Sequence, residues 1–277
     1  MPGEALMMRH MAAIAGGIMA SKIEKQTSIE VSGVRSATIE FHILGMSPLF
    51  MHKFAPSAGR ELLLPAGRKT AADKAAKLKH DPIQEFRDSC YTDERAAAPT
   101  LLCALSSAMK RGIAEVAKDL PGATKAQVGR LCYVEDEFFP VWGVPRLHMT
   151  LVRMADMAHT PDMRTRAILP EWAATFRVRY TEPLLTAKAI AQLVASAGVI
   201  QGIGDWRPGK GAGSFGTFEI VSADDERYQR IVNAQGRDTQ IAAMKAAEPY
   251  NNEAAELLGW YREEVTRRGQ EGLATME

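Results

Sequence analysis

Cysteine is scarce in this sequence. Cys90, Cys103 and Cys132 are the only three in 277 residues. Their number is odd and no two form a C-x-x-C pair, which excludes a disulfide framework or a zinc knuckle and fits a reducing compartment. Long apolar runs are also missing. None reaches the roughly 18 residues that a spanning helix needs, so no membrane contact is expected. Net charge is nearly absent, with 34 Lys and Arg against 33 Asp and Glu giving +1. That excludes the broad basic field of a histone-like binder and confines any nucleic-acid site to a local patch. No HExxH, nucleophile elbow or paired-carboxylate metal spacing occurs, so neither a catalytic residue nor a metal or cofactor is expected.

With 46% hydrophobic and 24% charged residues, the composition is that of a folded chain. At the N-terminus, Arg9 and His10 precede an Ala/Gly-rich stretch, Met11–Ala20, that lacks a set-off cleavage site. Residues 1–28 therefore read as an over-called or disordered arm, not a secretory signal.

Periodicity places the first strand at 37–45, where Ile39, Phe41 and Ile43 alternate with Glu40 and His42. Residues 55–68 read as loop, and Lys69–Lys79 as an exposed helix. Asp81, Pro82 and Gln84 have the order of an N-cap, a first-turn proline and a capping-box partner. Leu101, Leu105, Met109, Ile113 and Val116 make one apolar stripe, which predicts a helix over 100–119. A short helix is expected at 124–130, then strands at 133–141 and 172–180, a helix at 186–197 capped by Thr186, and a strand at 216–221. The chain from 224 reads as amphipathic helices broken near Gly236 and Pro249. The order βαββαβ is that of a ferredoxin-like or RRM-like α+β palm. Residues 143–170 interrupt it as an inserted hairpin that carries Arg146, Arg153, Arg164, Arg166, His148 and His159. The expected organisation is thus a palm over 29–222, with a helical insertion at about 69–92 and a thumb at about 143–170, followed by a helical tail over 223–277.

Seven of the 22 glycines fall within 198–216. Gly204-x4-Gly209-Lys210 has the Walker spacing, but Gly211 stands where the magnesium-binding hydroxyl belongs, and the loop runs from helix to strand instead of strand to helix. Gly211-x-Gly213-x-x-Gly216 matches the dinucleotide fingerprint in letters alone, since no helix follows it. What remains is a flexible loop in which Gly211 and Gly213 let a phosphodiester approach main-chain amides, beside the cations Arg207 and Lys210. Trp206 and Phe215 offer aromatic faces for bases, although the plainer reading of Phe215 is a hydrophobic plug.

The helix followed by Gly202-Ile-Gly204, an arginine and a Gly-rich turn ending in Ser-Phe-Gly-Thr-Phe-Glu219 resembles the C-terminal glycine-rich loop of the RAMP superfamily, the RNA-binding backbone subunits of CRISPR effector complexes. Ile43–His52 resembles their first strand. Ser47–Lys53, Gly204–Lys210 and Gly213–Glu219 are also similar to a group of phage and prophage proteins. The resemblance implies a palm with an inserted thumb, copies arrayed as a homo-oligomer or filament along one nucleic-acid strand, and a bacterial cytoplasmic location.

Charge is distributed in keeping with this. Residues 146–210 hold nine Lys or Arg and five Asp or Glu, a balance of +4, which leaves −3 for the rest. Phosphate affinity follows the phosphates neutralised, not the total charge. The expected function is non-catalytic binding of single-stranded RNA or DNA through Arg164, Arg166, Arg177, Arg179, Trp206, Arg207, Lys210, Gly211 and Gly213. A protein-interaction or CRISPR-mimic module is the alternative. An endoribonuclease using Asp156 or Asp162 of the hairpin is a third reading.

Overall fold

The computed structural model describes residues 33–54, 59, 63, 78–153, 159–210 and 213–269. The expected N-terminal arm, nearly all of the 55–79 segment, Asp156 and Gly211 lie outside the described residues. Residues 35–277 form one unit of mixed α+β structure.

Its main sheet is wholly antiparallel and curled. Strand β1 (Arg35–Gly45) lies between β10 (Phe218–Val221) and β9 (Ala173–Glu182). On its other side β9 pairs with β5 (Cys132–Val134) and β6 (Phe138–Trp142), and β6 leads on to β4 (Leu102–Leu105) and β3 (Tyr91–Thr92). Period-two alternation decides which side is buried. Phe41 stands opposite Phe176 and Ile43 opposite Ala174, and all four are buried. They pack in one core with Met109, Ile113 and Val116 of α2 (Ser106–Val116) and with Ile190, Leu193 and Val194 of α4 (Ala187–Ser196). Each such side chain contributes about 1.5–3 kcal/mol on burial.

The opposite side of the sheet is partly covered. Tyr228 and Ile231 of α5 (Glu226–Ala234) close over Leu44, Trp142 and Ala173. Farther along, Arg177 and Arg179 remain on the uncovered part.

A second sheet has the order β2-β8-β7, from β2 (Leu49–Phe50), β8 (Pro161–Leu169) and β7 (Arg146–Arg153). The hairpin β7–β8 is held from outside by two elements. The carbonyl of Ala167 accepts from Met51 N, and its amide donates to Ser89 Oγ just beyond α1 (Pro82–Asp88). At its base, Leu147 N donates to Glu248 O and Tyr250 N to Leu147 O. Two further helices, α6 (Arg237–Ala246) and α7 (Asn252–Arg267), complete the chain. Among the described residues no helix is long and apolar enough to cross a membrane.

Local signals at several element ends match the structure. Asp81 accepts from Gln84 N, Thr186 accepts from Ala189 N, and Thr124 with Gln127 makes a complete capping box for α3 (Lys125–Leu131). Two expectations are corrected. The stripe over 100–119 is not one helix: Leu102–Leu105 is a strand that pairs with β6, and α2 starts only at Ser106. Long-range pairing overrides the local pattern there, because the Leu101 and Leu102 amides both donate to Gln240 Oε1 on α6. The strand expected over 133–141 is broken at Glu135–Glu137, where Asp136 takes φ 61°. Ser106 fills the break, its hydroxyl donating to Glu135 O and its amide to Glu137 O.

Candidate functional site

The glycine-rich segment leaves α4 through a π-helical turn, Ala197–Gln201, and is then fixed tightly. Asp205 N donates to Phe50 O, Gly216 N to Pro48 O, Ile203 N to Gly216 O and Phe215 N to Trp206 O. The described part of the loop therefore adds a short ribbon along the edge of β2, where its composition suggests a flexible turn. The amides of Ile203, Asp205, Lys210, Phe215 and Gly216 all donate to main-chain carbonyls.

Two glycines are needed for this geometry. Gly204 takes φ +76°, and a Cβ there would collide with Phe50 O. At Gly213 a Cβ would run into the Trp206 carbonyl. Gly213 thus serves close packing of the loop on itself, a different role from a phosphate cradle. Trp206 itself adopts φ 51°, an uncommon conformation for a bulky residue.

Phe50 is the hub on which the loop rests. Its ring meets Trp206 at 4.9 Å, Phe215 at 4.8 Å and His148 at 5.0 Å, all edge to face. Phe215 is thereby a plug as well as a wall. Arg166 of β8 reaches the same cluster, its guanidinium carbon 5.0 Å from the Trp206 centroid. Its Nη1 lies 3.1 Å from Asp205 Oδ2. The direction is wrong for a hydrogen bond, so this buried nitrogen has no acceptor.

Asp205, Trp206, Lys210, Gly213, Ser214 and Phe215 line a cleft of ≈ 320 Å³. Its surroundings are cationic. Desolvation lowers the pKa of His52 from the ordinary 6.5; Asp205 opposes this shift, and Arg166, Lys210 and Arg164 reinforce it. The same causes act at His148, which burial lowers first, with Glu253 opposing and Arg166 assisting. Burial also lowers Arg166, against the pull of Asp205. The charges of Arg166, Lys210 and Arg164 are thus all felt at His52. Neither histidine is expected at the site from sequence. The cue for His52 is its position two residues after the Phe50 hub, and that for His148 is its place on the face of β7 opposite the buried Leu147 and Met149.

The remaining site residues expected from sequence are placed differently. Arg207 Nη1 donates to Gly204 O at 2.7 Å, so its guanidinium clips the loop. Arg177 and Arg179 stand on the main sheet, apart from the hairpin sheet that carries Arg164 and Arg166. Both are ion-paired with Glu135, at 3.1 Å and 2.8 Å, and Arg177 also with Asp136. The hydrogen bond from Arg179 holds the Glu135 carboxyl below the ordinary range. In this way a carboxylate next to the strand break compensates the basic strand face. Of the hairpin carboxylates, Asp162 is held by Lys79 and by His80 Nε2 at 3.0 Å. The Lys79 hydrogen bond is the main cause of its lowered pKa.

Neither a protein-family model nor a curated protein matches this sequence. The functional reading therefore rests on the geometry of the chain itself.

Proposed function

We propose that this protein binds a single strand of RNA or DNA without cutting it, along the cleft lined by the glycine-rich ribbon, beside which the hairpin residue Arg166 stands. The observation that carries this reading is an aromatic-walled cleft lined by Lys210, with Arg166 placed 5.0 Å over the Trp206 ring beside it. Cations able to hold phosphates beside ring faces able to meet bases are what a sequence-tolerant strand binder requires.

Topology supports the RAMP-like, ferredoxin-like form of the palm. Both β1 and β5/β6 run antiparallel to the β9 between them, so they are parallel to each other and joined through α2. By the same reasoning β9 and β10 are parallel, lie on either side of β1, and are joined through α4. Two interleaved strand–helix–strand units with the order β10-β1-β9-β5/β6 constitute a split βαβ arrangement. The β7–β8 hairpin sits between the second and third of these strands, as a thumb would. Arraying of copies along the strand follows from the same resemblance. An assembly role is the second reading, favoured by the exposed Leu151 on β7 and Trp260 on α7.

The test is fluorescence anisotropy with labelled single-stranded RNA, single-stranded DNA and duplex at two salt concentrations. Wild type is expected to bind single strands with marked salt dependence. Arg164→Ala/Lys210→Ala is expected to reduce the slope of log K against log salt by roughly one for each phosphate that is no longer neutralised. No binding to any single strand at low salt would overturn the proposal.

A further inference from the structure

The cleft beside Trp206 differs from a generic phosphate groove in one respect. It contains a carboxylate. Asp205 lines it together with Lys210, Ser214 and the rings of Trp206 and Phe215. An anionic side chain repels a phosphate backbone, so in a strand-binding cleft it needs another explanation. Its structural partner does not fully use it, because Arg166 Nη1 approaches Oδ2 at 3.1 Å outside hydrogen-bonding geometry. Asp205 is therefore held by charge while keeping acceptor capacity: a carboxylate has about four lone-pair sites and no proton to donate.

We infer that the cleft is a seat for one guanine base, read by the Asp205 carboxylate on its Watson–Crick edge. The inference rests on the strand-binding reading above and deepens it. Volume restricts the occupant first, because ≈ 320 Å³ lies at the bottom of the range of small-ligand pockets and suits one base rather than several. Chemistry then selects among the four bases. An acceptor-only group needs adjacent donors, and guanine alone presents two neighbouring N–H groups, N1–H and N2–H, on that edge. Cytosine and adenine each place a ring-nitrogen acceptor next to their amino group, and uracil or thymine flanks its single N–H with carbonyls. Each of these puts a lone pair against the second carboxylate oxygen. Phe215 and Trp206 supply the apolar walls, and Lys210 lies where the phosphate of the seated nucleotide can be met.

The test compares a labelled uridine dodecamer with the same strand carrying one central guanine or one central inosine, which lacks the N2 amino group. Wild type is expected to bind the guanine strand roughly tenfold tighter than the all-uridine strand, the scale of a hydrogen bond to a charged group. Inosine is expected to fall between the two. Asp205→Asn, whose amide offers one acceptor and a competing donor, is expected to bring the guanine and all-uridine strands within twofold of each other. The inosine comparison uses unaltered protein, so it decides the question even if Asp205→Asn folds poorly. Binding of all three strands within twofold of each other overturns the guanine seat and leaves strand binding standing. Failure of wild type to bind any of them overturns both.

Discussion

Arg166 stacks on Trp206, its guanidinium carbon 5.0 Å from the indole centroid. One residue comes from the hairpin and the other from the glycine-rich ribbon, so this contact and the adjacent Asp205 charge join the two walls of the site. Replacing Arg166 by lysine keeps the charge and loses the planar stack. Arg166→Lys is expected to cost about 1–2 kcal/mol of stability. It is also expected to shift the emission of Trp206, read as the difference between spectra with and without the background substitution Trp206→Phe. An unchanged urea midpoint would show that the stack contributes nothing.

Gly213 is expected to tolerate no side chain. Its missing Cβ makes room for the Trp206 carbonyl, a backbone atom that is itself held by Phe215 N. Gly213→Ala is expected to lower stability by about 1–3 kcal/mol, the usual cost of forced overpacking. Thermal unfolding of the variant measures this directly.

Strand affinity is expected to be indifferent to the sheet-face arginines. Glu135 and Asp136 already balance Arg177 and Arg179, and exposed pairs of this kind add little. Arg177→Ala/Arg179→Ala is expected to change anisotropy-measured affinity by less than about twofold, given that neutralised cations release few counterions. A weakening as large as that of the Arg164/Lys210 pair would return these residues to the site.

Two opposite pH effects are expected at His52. In the free protein desolvation and nearby cations keep its pKa below the ordinary 6.5, so the unfolded chain binds the proton more readily. The corresponding stability is fully present above pH 6.5 and is lost as pH falls through the lowered folded value. A phosphate held beside the ring reverses the local field. Binding then takes up a proton, and affinity rises on acidification, by at most about tenfold per pH unit for one proton. His52→Gln is expected to flatten both profiles, measured by urea unfolding and by anisotropy from pH 5 to 8.

Much of this arrangement is legible in the sequence where the controlling forces are local. Alternation in β1 and β9 identifies Phe41, Ile43, Phe176 and Val178 as inward, and the caps at Asp81 and Thr186 locate two helix starts. The pattern misleads where distant partners decide. Nothing near Leu101 announces that Gln240, 139 residues away, will take its amide hydrogen and hold β4 extended. The glycine-rich segment stands out by composition, but that composition suggests freedom, and its hydrogen bonds to Pro48 and Phe50 instead make it a strand-edge ribbon. Charge counting along 146–210 also overstates the patch, because Glu135 and Asp136 lie outside that window and pair with two of its arginines.

Gln240 is expected to be the most sensitive polar residue in the chain. It is fully buried, accepts from Leu101 and Leu102 and donates to the carbonyls of Val141 and Gly143. Gln240→Leu leaves these groups without partners and is expected to cost about 3 kcal/mol or more, at roughly 1–3 kcal/mol for each buried orphan. Chemical denaturation followed by circular dichroism reads the loss.

The base of the hairpin has a mechanical consequence. The amide and the carbonyl of Leu147 both bond to the chain at Glu248 and Tyr250 along one edge of β7, so the first arm of the hairpin is tied to the segment that leads into α7. A load applied to that helix, whether from a tether or from a neighbouring molecule, would first be felt in the hairpin that carries Arg164 and Arg166.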